Sequence, residues 1–490
     1  MNEMRGFLSL FALFFALVTE AQVATFKVSV SNPLKTDRMD QPVRLSLDGQ
    51  GPVTSARVMT DGVEVPCQLI DFDQDDSNDE LCFLADVKGR EVKTYSVTLN
   101  DGPQREYPAR VYAEMVMRND KVKEKNKQNN YVESLTVRGD CAYSYNLLHH
   151  HGVDFESELN GIRIYFDKRQ TLDLYGKFQK RLELQQTQFY TSDEQKLQGY
   201  GDDVLWVGNT FGLGAFRGWN GTEPTMVDPV RSRTQRIVSY GPVCAVVEVI
   251  DRGWEVPQVH DSSTPPLPNS STPKLLDMTL RYTQWAGHRD TDVEVMFKGD
   301  ASDQLFSTGI INVKGSVEYS DKQGLRGCWG TDYPSTDTIK WKPETVGLAI
   351  LLNKENIVSE EPANKDNYAF VVRPQSIDFR PQTSDFRPQT SDDGLQTLDL
   401  RPQTSDFRPQ TLDLRPQTSD FRPQTSDLRP QTSDFRPQES TMNYELSTMN
   451  YKVAYCSDNE TFGFHSAEEW FEWLQQWRRE VDNPVRVTVE

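Results

Sequence analysis

The sequence predicts a mainly β protein: a small N-terminal β-domain, then a larger β-sandwich with a C-terminal helix, interrupted by a heptapeptide-repeat insert expected to be disordered. Three observations predict it. Short runs of alternating apolar and polar residues recur between turn signals, which favours sandwiches over α/β folds. A strong helical period occurs near the C-terminus, where Trp470, Leu474, Trp477 and Val481 follow one another. A seven-residue unit repeats from Arg373 to Gln438.

The first residues place a basic residue, Arg5, ahead of an apolar run from Gly6 to Val18. Thr19 and Ala21 then supply the small residues a signal peptidase reads, so residues 1–21 are expected to be a signal peptide cleaved after Ala21. The apolar run is shorter than the roughly 20 residues that cross a bilayer. No cysteine follows it, which argues against a lipoprotein anchor. The protein is therefore expected to be exported, periplasmic or secreted, with no membrane insertion after cleavage.

Residues 22–105 read as the small β-domain, with strands at Phe26 to Val30, Val43 to Leu47, Val63 to Leu69, Leu81 to Val87 and Thr94 to Leu99. Residues 106–372 read as the larger sandwich and 449–490 as its closing strand and helix. Ser466 and Glu469 form a capping-box pattern at the helix start, and Asn483-Pro484 stops it ahead of a last strand, Val485 to Val489. The insert, 373–448, carries proline in nearly every unit, which excludes a coiled coil despite the period of seven. Its units are too short and polar to bury a core. Tyr368 to Val372 and Tyr451 to Tyr455 flank it as strands, so it is expected at the tip of a hairpin.

Lys and Arg number 53 against 73 Asp and Glu, a net charge of -20. A chain this acidic does not track nucleic-acid backbones by bulk attraction. The six cysteines match no zinc spacing. Cys67 and Cys82 flank one loop and form a candidate disulfide; buried free thiols are the alternative.

The sharpest motif is the acidic run from Asp71 to Asp79. It follows a calcium-loop pattern, with Asp71, Asp73, Asp75 and Asp79 as ligands and the Ser77 carbonyl between them. Calcium takes six to eight oxygens, and alternate carboxylates in a tight loop supply them. Asp76 stands where the pattern has glycine. A structural Ca2+ and a solvated acidic loop are both open readings.

A second constellation is a hairpin. Arg163, Tyr165 and Asp167 alternate with Ile162, Ile164 and Phe166, and Asp173, Tyr175 and Lys177 alternate with leucines in the following strand. Alternation places these polar residues on one face. That face is either solvated or the floor of a cleft, where an arginine holds a carboxylate and a tyrosine handles a proton. His149, His150 and His151 lie just upstream, with Glu156 and Glu158 after them. Three adjacent histidines cannot face one way, so one of them, His150 or His151, is the candidate acid, base or ligand. Asp203 joins Glu158 and Asp167 as a candidate carboxylate for hydrolysis. The glycine-rich run from Gly208 to Gly214 does not open a helix and is no phosphate loop.

Phe26 to Pro33, Gln41 to Val43, Glu158 to Asp167, Leu172 to Lys177, Asp203 to Asn209, and Ala467 to Trp470 with Asn483-Pro484 resemble the bacterial domain-of-unknown-function family 4861. The resemblance spans nearly all the chain except the insert. It implies a secreted protein of glycan-degrading bacteria, associated with pectin or other uronic-acid glycans. The N-terminal β-domain is also similar to one found beside the catalytic parts of some rhamnogalacturonan lyases. The expected function is the breakdown of an acidic or pectin-like glycan, by lyase or hydrolase chemistry; the alternative is a non-catalytic glycan-binding or accessory protein. The oligomeric state is not legible.

Overall fold

Alternation in the sequence becomes two packed β units in the computed structural model, which describes residues 22–139, 146–257, 274–377 and 446–490. The expected signal peptide, Cys141, most of the proline- and serine-rich loop after Val256, and repeat residues 378–445 lie outside the described residues.

In the N-terminal unit a five-stranded antiparallel sheet faces a three-stranded one. The first runs Arg486–Val489, Gln22–Ser31, Val92–Asn100, Ser55–Thr60 and Val63–Val65; the second runs Arg38–Ser46, Glu80–Val87 and Cys67–Ile70. Every second residue points between them, so Val28, Val30, Val43, Leu45, Leu81, Phe83, Val97 and Leu99 form one core. The last strand, Arg486–Val489, falls in the stretch assigned from sequence to the larger sandwich. It pairs instead with Gln22–Ser31, Val28 opposite Val489, and so ties the C-terminus to the N-terminal sheet.

The larger unit packs a ten-stranded sheet against two five-stranded sheets, with one continuous core between them. Strand Leu446–Ser457 lies inside the ten-stranded sheet, between Asp290–Lys298 and Glu344–Leu352. The expected pairing of Tyr368 to Val372 with Tyr451 to Tyr455 does not form. Asn367–Val372 belongs to another sheet, paired with Phe306–Ile311. The hairpin that brackets the repeat is shorter: Gln375–Ile377 pairs with Leu446, Ser447 and Thr448, Ile377 opposite Leu446. Both ends of the insert thus belong to the sheet, and Ser447 is fully buried, its hydroxyl accepting from Ala301 N.

The C-terminal helix, Ala467–Asp482, starts at Ser466, whose hydroxyl accepts from Glu469 N. The Glu469 carboxylate reaches back one residue further than a capping box requires, to His465 N. Trp470, Leu474 and Trp477 are buried against the ten-stranded sheet. Glycine on the sheet permits that approach: a Cβ at Gly347 would lie 2.8 Å from the Trp470 ring, and one at Gly327 would lie 2.6 Å from Leu474.

Cys67 and Cys82 are both free and buried. Cys67 sits opposite Phe83, and Cys82 opposite Gln68. The one-residue offset sends the two thiols to opposite faces of the ladder. Cys67 joins the N-terminal core and Cys82 a separate cluster with Cys244 and Trp285. Among the described residues no helix is long and apolar enough to cross a membrane.

Candidate active site

The site is built on one five-stranded sheet, ordered Asp202–Asp203, Leu172–Gly176, Gly161–Tyr165, Gly152–Ser157 and Val111–Glu114. One face is apolar: Val111, Ala113, Val153, Phe155, Ile162, Ile164, Leu172 and Leu174 all enter the main core. The other is a row of ionisable groups. In register, Glu114 stands opposite Asp154, Asp154 opposite Arg163, and Arg163 opposite Asp173. The hairpin expected from alternation is therefore present, and its polar face is not solvated. Arg163, Asp173, Tyr175 and Lys177 are all buried. Segments 118–133 and 183–200 cover them, clasped by Gln188, which donates to Gln128 O (2.8 Å) and accepts from Gln128 N (2.9 Å).

Arg163 is the centre of the row. Its Nη2 donates to Asp173 Oδ2 at 2.6 Å and Asp203 Oδ2 at 3.1 Å, and lies 3.2 Å from the Tyr165 hydroxyl. Its guanidinium lies 4.2 Å from the Phe189 ring centre. Burial opposes the arginine's charge, and Asp173, Tyr165 and Asp203 outweigh it, so the group stays cationic. Asp203 is the partner open to solvent, with its side chain 18% exposed. Burial, then the Asp173 charge, hold its carboxyl well above the usual carboxylate range against the pull of Arg163. Tyr165 is pushed up by burial and then by Asp173, so its phenol keeps its proton.

The three histidines diverge as expected. His149 faces Tyr190, ring centroids 5.1 Å apart. His151, in the left-handed region at φ 70°, lies parallel to the Tyr165 ring at 6.0 Å. His150 is fully buried beside Glu114 and Asp154, and burial holds its imidazole neutral. Burial also pushes Glu114 up to about 8, against the Tyr112 phenol that donates to it.

Two of the sequence's candidate carboxylates are engaged elsewhere. Glu158 accepts from Arg110 Nε (2.6 Å) and Gly287 N (2.8 Å) at the junction with the N-terminal unit. Asp167 accepts from the Arg169 backbone and is bound by its guanidinium, which lies over the Tyr165 ring at 4.5 Å. The second row of the polar face is structural: Lys177 Nζ donates to Glu156 Oε2, Ser157 O and Arg181 O at 2.5–2.7 Å.

Two clefts open at the covering segments. One, of about 950 Å3, mixes Lys125, Lys127, Lys196 and Lys340 with Glu124, Asp193, Glu194 and Asp202 in its lining, beside Tyr190 and Trp341. Lys196 lies 4.8 Å from the Trp341 ring centre. Tyr190 connects this cleft to the buried row: burial pushes its phenol up, and the neighbouring Arg163 charge pulls it down. The other, of about 510 Å3, is walled by Tyr112, Tyr131 and Tyr240, with Glu114 and Glu133 in its lining.

The acidic run forms the loop between Cys67–Ile70 and Glu80–Val87. One carboxylate oxygen from each of Asp71, Asp73 and Asp79 lies within 4.8 Å of the others. Asp71 accepts from the backbone of Gln74 and Asp76, and Asp75 from Ser77 N. Asp76 takes a left-handed φ of 69° where glycine was expected. Burial, then Asp75 and Asp79, raise the Asp73 carboxyl.

A family model matches residues 30–380 and 417–487. The chain belongs to that family, a domain of unknown function (DUF4861). No curated protein matches it. Among solved structures it is similar to a protein in the glycosyl hydrolase family 38 from Enterococcus faecalis, at 11% identity and TM-score 0.44, over 95% of this chain and 47% of that one. It is similar also to an alpha-mannosidase from Enterococcus faecalis V583, at 12% identity and TM-score 0.43, over 95% of this chain and 46% of the other. The chain spans less than half the length of either. Likeness at that level bears on neither chemistry nor substrate.

For this DUF4861 member, sequence reasoning missed Tyr112, Glu114, Tyr131, Asp154 and Tyr240. The signal for three of them was present. Val111 to Glu114 and Val153 to Glu156 alternate apolar and polar just as the hairpin does, which puts Tyr112, Glu114 and Asp154 on the hairpin's polar face.

Proposed function

We propose that this is an exported enzyme of complex-carbohydrate breakdown, acting on an acidic or pectin-like glycan by acid–base chemistry at the Arg163–Asp173–Asp203 centre. One observation carries the reading. Two carboxyl groups share a single arginine nitrogen, and burial and the neighbouring Asp173 charge push the partly exposed one, Asp203, above the usual carboxylate range. Paired carboxyls in unlike environments divide the acid and base roles of glycoside hydrolysis. Asp203 is the proton donor in this reading. The adjoining cleft, where Lys125, Lys127 and Lys340 stand among Glu124, Asp193 and Glu194, offers Tyr190 and Trp341 as ring faces for sugars.

Hydrolysis is favoured over lyase chemistry. A lyase needs a free cation for the uronate carboxylate and a base for the α-proton, whereas Arg163 is already paired with two protein carboxyls and the Tyr165 phenol is held protonated. Non-catalytic glycan binding is the second reading, favoured by the same saturation of Arg163. The Asp71, Asp73 and Asp79 cluster is proposed as a structural Ca2+ site, with Asp75 and the Ser77 carbonyl as further ligands. Incubation of the purified protein with a panel of pectic and neutral oligosaccharides tests the reading. New reducing ends without ultraviolet absorbance support hydrolysis, absorbance of unsaturated uronates supports a lyase, and binding without turnover supports the accessory role. Neither turnover nor binding of any glycan refutes all three.

A further inference from the structure

A separate cluster lies on the two strands of the sheet farthest from Asp203, where Glu114 and Asp154 stand opposite each other and His150 precedes the strand that carries Asp154. All three side chains are 2% exposed or less. His150 Nδ1 lies 2.8 Å from Gly152 O. A carbonyl only accepts, so Nδ1 carries the hydrogen and Nε2 presents its lone pair. That lone pair lies 3.7 Å from Glu114 Oε1, and Asp154 Oδ2 lies 3.5 Å from Nδ1. Neither separation is a good hydrogen bond.

Four buried atoms here have no hydrogen-bond partner: His150 Nε2, Glu114 Oε1, and both oxygens of Asp154. Unprotonated, all four are acceptors, and either a shared proton or a metal cation relieves their opposition. Acceptors facing one another in a dry interior are costly unless a positive charge lies between them. The surrounding row does not supply it. Glu114, Asp154, Asp173 and Asp203 lie along or beside it with Arg163, whose ion pairs go to Asp173 and Asp203. Lys177 is spent on Glu156.

We propose that Glu114, His150 and Asp154 bind one divalent transition-metal ion of the zinc or manganese class. One ligand atom from each residue lies within 4.8 Å of the others. A metal with bonds of about 2.0–2.2 Å needs its ligand atoms closer together than that limit, so binding draws the three side chains inward. An imidazole with two carboxylates suits zinc and manganese better than calcium or magnesium, which prefer all-oxygen sets. The outer contacts are those of a metal site: the Nδ1 hydrogen goes to a backbone carbonyl, and the Tyr112 hydroxyl donates to Glu114 Oε2 at 2.9 Å. Three protein ligands leave a coordination position open. Glu114 and Tyr112 also line the tyrosine-walled groove, so ligands from that groove have a route to the ion. This site does not depend on the glycan reading.

The test uses the full chain, stripped with a chelator and titrated with Zn2+, Mn2+ and Co2+. Binding is followed by calorimetry, elemental analysis after desalting, and the visible spectrum of the cobalt form. With saturating Ca2+ present to occupy the acidic loop, one equivalent should bind and raise the melting temperature. Glu114→Gln and Asp154→Asn should each weaken binding at least about tenfold, whereas Glu355→Gln, on the exposed surface, should leave it unchanged. If either site variant fails to fold, the wild-type stoichiometry and the cobalt spectrum still decide. Absence of stoichiometric binding by the folded wild type overturns the proposal, as does binding unaffected by both substitutions. None of these readouts uses glycan turnover, so failure here and failure of the proposed activity are distinct results.

Discussion

Replacing Lys177 with methionine tests how the polar layer is held closed. Lys177 is fully buried, and its ammonium makes three hydrogen bonds: to Glu156 at 2.5 Å, Ser157 O at 2.6 Å and Arg181 O at 2.7 Å. Methionine matches its length but offers no donor. Glu156, also fully buried, keeps only the backbone N–H groups of Glu183 and Leu184 at 2.8–2.9 Å. Removing one partner of a buried ion pair costs about 3–5 kcal/mol, because a charge is left uncompensated. Glu156→Gln removes that charge while its amide oxygen still accepts from the two N–H groups. The double variant Glu156→Gln/Lys177→Met should therefore be less damaged than the sum of the single changes, by about 1–3 kcal/mol. Urea unfolding followed by tryptophan fluorescence gives the four stabilities. Limited proteolysis of Lys177→Met should cut first within 178–200, the segment anchored there by Arg181 and Glu183. A loss below about 1 kcal/mol, or strict additivity, would refute the argument that this pair holds the cover over the site.

Trp470→Ala should cost roughly 3–5 kcal/mol, since the ring is fully buried against the ten-stranded sheet; thermal unfolding measures it. Asp73→Asn with Asp75→Asn should lower the melting temperature in calcium and change little in a chelator, and equal melting of the parent in both conditions would sink the calcium reading. His288 joins the two β units, its Nε2 2.7 Å from Asp40 O and its Nδ1 3.1 Å from Asp290. Its pKa is raised, with burial opposing and Asp290 and the Asp40 carbonyl prevailing, while Lys452 lowers it. A raised histidine pKa stabilises fully below the unfolded value of about 6.5 and loses that contribution as pH rises through the folded value. Melting temperature should fall across that window in the parent, and the fall should shrink in His288→Gln. Replacing 378–445 by Asn-Gly should preserve folding, because Ile377 and Leu446 already face each other in register and a two-residue turn joins such a pair; an unfolded product would defeat this.

What the sequence conveyed depended on how local each determinant is. Alternation over Ile162 to Asp167 gave the hairpin, and helical spacing of Trp470, Leu474 and Trp477 gave the buried face of the helix. Partners across the sheet were harder to read. The last strand is as apolar and alternating as any closing strand of the larger sandwich, and nothing local to Arg486–Val489 says that Gln22–Ser31 is its neighbour. The flanks of the repeat failed similarly: both are strands, but their sheets are chosen by long-range pairing. At the site, Arg163 and Tyr165 were found because they sit in one hairpin, and Asp203 because it stands just ahead of the apolar run Val204 to Trp206. Glu114 was passed over because it lies about forty residues upstream of Asp154.

The central claim is that Asp203 donates the proton in glycan cleavage. The most direct measurement compares wild type with Asp203→Asn, a near-isosteric change that keeps an acceptor toward Arg163, on the oligosaccharide the wild type cleaves fastest. The account expects kcat for reducing-end release to fall about 10²–10⁴-fold with the fold retained. Unchanged turnover in Asp203→Asn, or cleavage that disappears only with unfolding, would contradict it.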